Sequence, residues 1–216
     1  MKERPLPVSA AVIAGGANSR MGYPKGLLEI GGIPIITRVV DVLETVAKDL
    51  VCVTCRPEEY RCEGGRVRFV PDYGETPRGP LSGIVGALAA ARYPVCLVVA
   101  VDMPFLNPTL LRHLLSYAVR GAGRGQGADD TQYADVVVPV IEDDRPENLH
   151  AVYRSTALSA GVEALTADRR RVSAFYRDLS VKRVSAEEVR RFDPELRSFE
   201  NVNTPAELQR VLKQRA

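Results

Sequence analysis

Val8-Ser9-Ala10-Ala11-Val12-Ile13-Ala14-Gly15-Gly16-Ala17-Asn18-Ser19-Arg20-Met21-Gly22-Tyr23-Pro24-Lys25 is the stretch that decides the fold. The run Val8 to Ile13 has the length and composition of a buried β-strand, and it passes directly into a loop with three glycines, one Arg and one Lys. Glycine lets backbone N–H groups approach an anion closely, and Arg20 and Lys25 can neutralise a polyphosphate, so the loop reads as a phosphate clamp. It is not a Walker A loop, because no Gly-Lys-Ser/Thr stands at the required spacing, nor is it the GxGxxG dinucleotide fingerprint. The second strand does not end in the acidic residue that would hold an adenine ribose, so hydride transfer and P-loop hydrolysis are both disfavoured. Lys2 and Arg4 ahead of Val8 to Ala14 faintly resemble a signal peptide, but the run is short and flows into the glycine loop, as a first strand does.

Working outward, apolar runs recur at Leu50 to Thr54, Val67 to Val70, Val95 to Val101 and Val136 to Val140, each bounded by loop residues. Between them lie helical patterns at Pro34 to Ala47, Leu81 to Arg92 and Pro108 to Val119, the last with Asn107 as its cap. Further along, Leu149 to Arg154 and Val181 to Val184 read as strands, and Thr156 to Leu165 and Val172 to Leu179 as helices, with a last helix after Pro205. The alternation predicts a single α/β, Rossmann-like domain with a mostly parallel central sheet flanked by helices. Val95 to Val101 lacks polar alternation, as expected of a central strand covered on both faces.

The chain has 216 residues, 45% of them apolar and 26% charged, with a formal net charge of +2. These values suit one domain spanning 1–216, and no linker or repeat divides it. No apolar run approaches the ~20 residues of a membrane-spanning helix, and the charge balance gives no blanket attraction to nucleic acid, so neither membrane nor nucleic acid is expected as a partner. Four cysteines in a chain with an ample core fit a reduced, cytoplasmic protein. The Cys52/Cys55 spacing falls on a predicted strand, which would point the two thiols at opposite faces, and core packing is favoured over metal or redox chemistry. Residues 121–132, rich in glycine and polar residues, read as a flexible surface insertion.

Open α/β sheets place ligands at the carboxyl ends of their strands. The Gly15 loop, Asp72 and Asp102 each follow a predicted strand, so parallel strands would bring a clamp and two carboxylates to one edge. A carboxylate there suits Mg²⁺, which prefers oxygen ligands and bridges phosphates; each Asp taken singly could equally cap the following turn.

Ile13-Ala14-Gly15-Gly16, Arg20-Met21-Gly22, Lys25, Gly79-Pro80-Leu81-Ser82-Gly83, Asp102-Met103-Pro104-Phe105-Leu106 and the closing Asn201-Val202-Asn203-Thr204-Pro205 together resemble, in order and spacing, the molybdenum cofactor guanylyltransferase family. The likeness runs from Val12 to about Leu212, and the glycine-rich insertion has no counterpart. The resemblance implies a nucleotidyltransferase fold and transfer of GMP from GTP to the terminal phosphate of molybdopterin, with release of pyrophosphate and with Mg²⁺ as cofactor. It implies that Ile13, Ala14, Gly15 and Gly16 hold purine and phosphates through backbone and that Arg20 and Lys25 contact the triphosphate. Asp72 would hold the nucleoside, Gly83 would let it lie against backbone, Asp102 would bind the metal, and Asn201 and Asn203 would face the pterin. Arg20, Lys25 and Asp102 are the catalytic set on this reading. Acceptor molybdoenzymes and their chaperones are further implied partners.

Asn201 and Asn203 have a local alternative, an Asx-type turn before the Pro205 helix. The chain departs from the family near Thr54 and Cys55, where relatives often carry Asn, and at Asn148, where they tend to have Pro; both bear on base recognition. His150 beside that position is either a phosphate ligand facing the acceptor or a hydrogen-bonded core residue, and His113 is the weaker candidate of the two. Transfer from CTP, or to another phosphorylated acceptor such as a sugar phosphate, is the rival chemistry. A non-catalytic pterin carrier is the rival class, and it would not need a triphosphate clamp.

Overall fold

The opening apolar run forms β1 (Leu6–Ile13), with every residue from Val8 onward buried. The computed structural model describes residues 4–15, 24–60, 65–74, 79–119, 133–142, 144–169 and 171–204, with 207 and 210. Gly16, Arg20, the 121–132 segment and most of the helix expected after Pro205 lie outside the described residues. After the loop come β2 (Glu29–Ile30) and β3 (Ile33–Pro34), a small antiparallel hairpin absent from the sequence expectations. Its turn needs positive φ at both central positions, which Gly31 and Gly32 supply at 61° and 77°. The chain continues through α1 (Ile35–Glu44), β4 (Ala47–Val53), β5 (Arg68–Val70), α2 (Pro80–Ala90), β6 (Val95–Ala100) and α3 (Pro108–Ser116). It ends through β7 (Val136–Val140), β8 (His150–Arg154), α4 (Leu158–Thr166), β9 (Val181–Ser185) and α5 (Ala186–Arg190).

Seven strands form one sheet in the order β5-β4-β1-β6-β8-β7-β9. All its pairings are parallel except those of β8, which runs against both β6 and β7. The mostly parallel α/β class is as expected.

Both faces of the sheet are covered, which explains the unbroken apolar strands. In β6, Val95, Leu97 and Val99 pack in the core shared with α1 and α3, while Cys96 and Val98 pack in the core shared with α2 and α4. The leucines of α3 at 110, 111, 114 and 115 are fully buried, each stabilising the fold by roughly 1.5–3 kcal/mol. The α3 cap is also as expected: the Asn107 Oδ1 accepts from the N–H groups of Thr109 at 2.9 Å and Leu110 at 3.2 Å.

Some boundaries differ from expectation. Helix α1 is shorter than Pro34 to Ala47, because Pro34 completes the hairpin and Ala47 already begins β4. Residues Val172–Phe175 form only a 3-10 turn. Strand β4 ends at Val53, so Cys55 is exposed beyond it rather than on its opposite face, while Cys52 and Cys96 pack in opposite core layers. No described helix is long and apolar enough to cross a membrane.

A buried polar lock ties the amino-terminal half of the sheet. Asp49 on β4 accepts from the Ser9 hydroxyl at 2.6 Å, from the Arg68 guanidinium at 2.9 and 3.0 Å, and from the Arg92 backbone N–H at 3.1 Å. Burial pushes the Asp49 carboxyl up, but Ser9, Arg68 and the Arg92 N–H together hold it below the usual carboxylate range. The strands joined by this lock end level: Ile13, Val53, Val70 and Ala100 stand in one row across β1, β4, β5 and β6.

Candidate active site

That row dictates what lies at the carboxyl edge. The residues just past it are Ala14 and Gly15 after β1, Asp72 after β5 and Asp102 after β6, while the antiparallel β8 delivers its beginning, Leu149 and His150, to the same edge. Leu149 accepts from the Ala100 N–H at 2.8 Å. Asp102 thus stands between two half-sites, with Gly15 and Asp72 on the β1 to β5 side and the turn before β8 on the other. Neighbouring strands are about 4.8 Å apart, so the two half-sites open within roughly 10 Å of each other.

The first half-site is a tight cradle made by glycine. A Cβ on Gly15 would stand 2.7 Å from the Asp72 Oδ2, and one on Gly83 would stand 3.0 Å from Ile13 and 3.4 Å from the Asp72 Oδ1. A Cβ on Gly86 would stand 2.9 Å from the Pro71 backbone oxygen, so the helix can close on the Asp72 loop only because these positions lack side chains. Asp72 is buried, with the Ser82 hydroxyl at 3.3 Å and the Cys55 thiol at 3.7 Å. The Ser82 hydroxyl has the Gly79 carbonyl closer, at 2.7 Å, and its one proton cannot serve both. Burial and then the Asp72 charge raise the Cys55 thiol, which keeps it protonated beside the carboxylate.

The centre of the edge is a three-residue contact. Lys25 Nζ donates to Asp102 Oδ2 at 3.1 Å and to Asn203 Oδ1 across a very short separation. These partners lie 77 and 178 residues away in sequence. The Val202 N–H donates to the Asp102 carbonyl at 2.8 Å, so the closing Asn motif is docked through backbone as well as side chain. The local alternative for Asn203, an Asx-type turn, is not what its side chain makes: the Thr204 hydroxyl accepts from the Glu207 N–H at 3.0 Å, while Glu207 accepts from the Asn203 N–H at 2.7 Å. The Asn203 side chain is therefore directed at Lys25 rather than spent on a local turn.

The second half-site is a cleft of about 310 Å³ beyond Asp102. Its lining includes Pro80, Asp102, Met103, Glu147, Asn148 and Asn201. Met103 falls within the Asp102 to Leu106 motif, whereas Glu147 carries no sequence signal that marks it, since its place in the cleft depends on the turn before β8. His150 does not face this cleft. It is fully buried against Phe199, with ring centroids 4.5 Å apart, and neither ring nitrogen has a hydrogen-bond partner among the described residues. Burial lowers its pKa to about 4, partly offset by Asp193, so it is a neutral core residue. His113 is equally structural: it meets Glu188 at 2.8 Å and stacks on Phe192 at 4.2 Å.

Among the described residues no three His, Cys, Asp or Glu side chains gather as a ready-made metal cage. The donors nevertheless suit a hard divalent cation. Asp102 is part-exposed at the centre of the edge, Lys25 engages one of its oxygens, and the other has no partner among the described residues. Mg²⁺ is commonly held in this way, by one or two carboxylates together with substrate phosphates and water.

Residues 10–184 match the family profile described as the MobA-like NTP transferase domain. The chain belongs to the MobA-like NTP transferases. Among relatives in this family, a probable molybdenum cofactor guanylyltransferase of Pelotomaculum thermopropionicum is 36% identical over 203 residues, covering 94% of this chain and 91% of its own. A second, from Natronomonas pharaonis, is 34% identical over 215 residues, covering 94% and 96%. The crystal structure of molybdopterin-guanine dinucleotide biosynthesis protein A from Archaeoglobus fulgidus superimposes with a TM-score of 0.75 at 27% identity, covering 96% of this chain and 100% of that one. A 2-C-methyl-D-erythritol 4-phosphate cytidylyltransferase from Thermus thermophilus shares the fold of this chain, with a TM-score of 0.64 at 18% identity, covering 97% of this chain and 98% of that one.

Proposed function

We infer that the chain transfers GMP from GTP to the terminal phosphate of molybdopterin and releases pyrophosphate, as the names of its relatives indicate for them. The observation that carries this reading is the Lys25 contact, which joins the glycine loop, the mouth of β6 and the closing Asn motif at the boundary between two half-sites. An enzyme that joins two phosphorylated substrates needs such a boundary; a carrier for one of them does not.

The reaction is an in-line displacement. An oxygen of the acceptor phosphate forms a bond to the α-phosphorus of GTP, the bond from that phosphorus to the bridging oxygen of the β-phosphate breaks, and the electron pair leaves with pyrophosphate. The attacking phosphate is already ionised, so no general base is required, and positioning with charge neutralisation carries the rate. Lys25 has three N–H donors; Asp102 and Asn203 take two and thereby aim the third at a phosphate oxygen. Asp102 would hold Mg²⁺, which supplies further neutralisation of the triphosphate. Ile13, Ala14 and Gly15 present backbone to the nucleotide, Gly83 keeps the wall flat, and Asp72 faces the nucleoside. Asn201, in the cleft lining, faces the pterin. Gly16 and Arg20 complete the clamp in the same proposal. Cytoplasmic synthesis and delivery to acceptor molybdoenzymes or their chaperones belong to it as well.

The test is pyrophosphate release by the purified protein with Mg²⁺ and molybdopterin, with GTP, CTP, ATP and UTP compared. Release with GTP alone is expected. Release with CTP would keep the chemistry and change the donor, and no release with any nucleotide would overturn the assignment.

A further inference from the structure

Two side chains in the acceptor cleft have a chemistry that the transfer reaction leaves unused. Glu147 and Asn148 belong to a tight turn, in which the Asn148 N–H donates to the Pro146 carbonyl and the His150 N–H to the Glu147 carbonyl, each at 3.0 Å. The turn brings both residues into the lining of one cleft, where an extended strand would send neighbouring side chains to opposite faces. The Glu147 N–H donates to the Pro139 carbonyl at 2.8 Å, which pins the turn to β7.

The orientation of Asn148 is dictated from behind. The Tyr176 hydroxyl meets the Asn148 Oδ1 at 2.5 Å, and the Tyr153 hydroxyl donates to the Asn148 backbone carbonyl at 2.8 Å. A separation of 2.5 Å belongs to an O–H···O bond and is too short for an amide N–H donor, so the oxygen of the amide faces Tyr176. The amide nitrogen is left as a directed donor. Glu147 is the complement: the residue lines the cleft, and among the described residues no group donates to its carboxylate. Burial, and then the charge of Glu142, push its carboxyl up, as expected of a carboxylate that its own chain does not compensate.

We propose that Glu147 and Asn148 read the edge of a 2-amino-4-oxopyrimidine ring in the acceptor cleft. The carboxylate accepts from the ring N–H and the adjacent amino group, and the Asn148 amide donates to the ring carbonyl. Both pterin and guanine present that edge. Position favours pterin, because Glu147 and Asn148 lead into β8, on the far side of β6 from β1 and β5, the strands followed by Gly15 and Asp72, and share their cleft with Asp102 and Asn201. Tyr176 is a positioning residue that acts through Asn148. The inference rests on the acceptor reading above and makes these residues the determinants of acceptor specificity.

The test is fluorescence titration of free pterin and of 2,4-dioxopteridine, in which oxygen replaces the amino group, against the wild type, E147Q, N148A and Y176F, with GTP affinity measured in parallel. The wild type is expected to prefer pterin by roughly tenfold or more, because the dioxo ring leaves a buried acceptor without its donor. E147Q is expected to abolish that preference, N148A and Y176F to weaken both pteridines alike, and GTP affinity to stay unchanged throughout. Equal binding of the two pteridines, or no pterin binding by a protein that turns over molybdopterin, would overturn the inference and leave the transferase reading intact. A loss of GTP affinity in E147Q with pterin binding unchanged would overturn it in favour of guanine. A protein that discriminates the pteridines as predicted but transfers no nucleotide would retain this inference and sink the proposed reaction.

Discussion

Lys25 is held from two sides, and the role proposed for it in the reaction depends on that restraint. Asp102→Ala is expected to abolish turnover with the melting temperature unchanged, and Lys25→Ala to lower kcat/KM by about a hundredfold or more, as steady-state kinetics would measure. Near-normal turnover in the Asp102 variant would remove the metal role assigned to that carboxylate. Each of these residues is visible in the sequence as part of a motif, but their contact spans 77 and 178 positions and only the folded sheet brings them together. Glu147 and Asn148 are less legible, because nothing in the string indicates that Tyr176 orients the amide or that the carboxylate is left without a donor. His150 stood open between two roles in the sequence; burial decides for the core. Its folded pKa of about 4 lies below the ordinary histidine value, so it stabilises the fold above about pH 6.5, and that contribution is lost as pH falls through the folded value. Between neutral pH and pH 4 the wild type is expected to lose roughly 3 kcal/mol relative to His150→Leu, which has no group to protonate there, so that their thermal melts draw apart on acidification in favour of the variant, whose turnover is retained. Parallel melting curves would contradict this.

At the scale of elements, α2 owes its position to a glycine that faces backbone. Gly86→Ala places a Cβ 2.9 Å from the Pro71 carbonyl oxygen, which cannot swing aside as a side chain would. The variant is expected to lose about 1–3 kcal/mol of stability and to raise KM for the nucleotide more than for the acceptor, because the displaced helix loosens the Asp72 cradle. Denaturant unfolding and a two-substrate kinetic grid would measure both effects; an unchanged nucleotide KM would detach α2 from the cradle. The strands themselves were readable, since β1 and β6 are apolar on both faces and must lie inside. The reversal of β8 was not, because a buried run such as Ala151-Val152-Tyr153 carries no mark of direction. The β2–β3 hairpin was missed for another reason: two-residue strands are too short for periodicity, and Gly31-Gly32 alone marked the turn.

For the whole molecule, the level row of strand ends depends on the lock around Asp49 at the opposite end of the sheet. Its carboxyl is held below the usual range in the fold, so its stabilisation is complete above about pH 4 and is lost as pH falls through the lowered folded value. Asp49→Asn is expected to cost about 3 kcal/mol at neutral pH, because the partly buried Arg68 then lacks its counter-charge, and to flatten the acid limb of the stability curve. Urea unfolding between pH 3 and pH 7 measures both, and a variant as stable as the wild type would show that the row is aligned by apolar packing alone.

On the proposed reading the whole arrangement, a nucleotide cradle and an acceptor cleft meeting at Lys25 and Asp102, moves one guanylyl group between them. The most direct measurement follows that group: incubation with molybdopterin, Mg²⁺ and GTP labelled at the α-phosphorus, with the products separated. The account predicts that the label appears in a pterin dinucleotide, matched one to one by unlabelled pyrophosphate. Label that stays in GMP, or a pterin product that takes its phosphorus from the γ position, would contradict it.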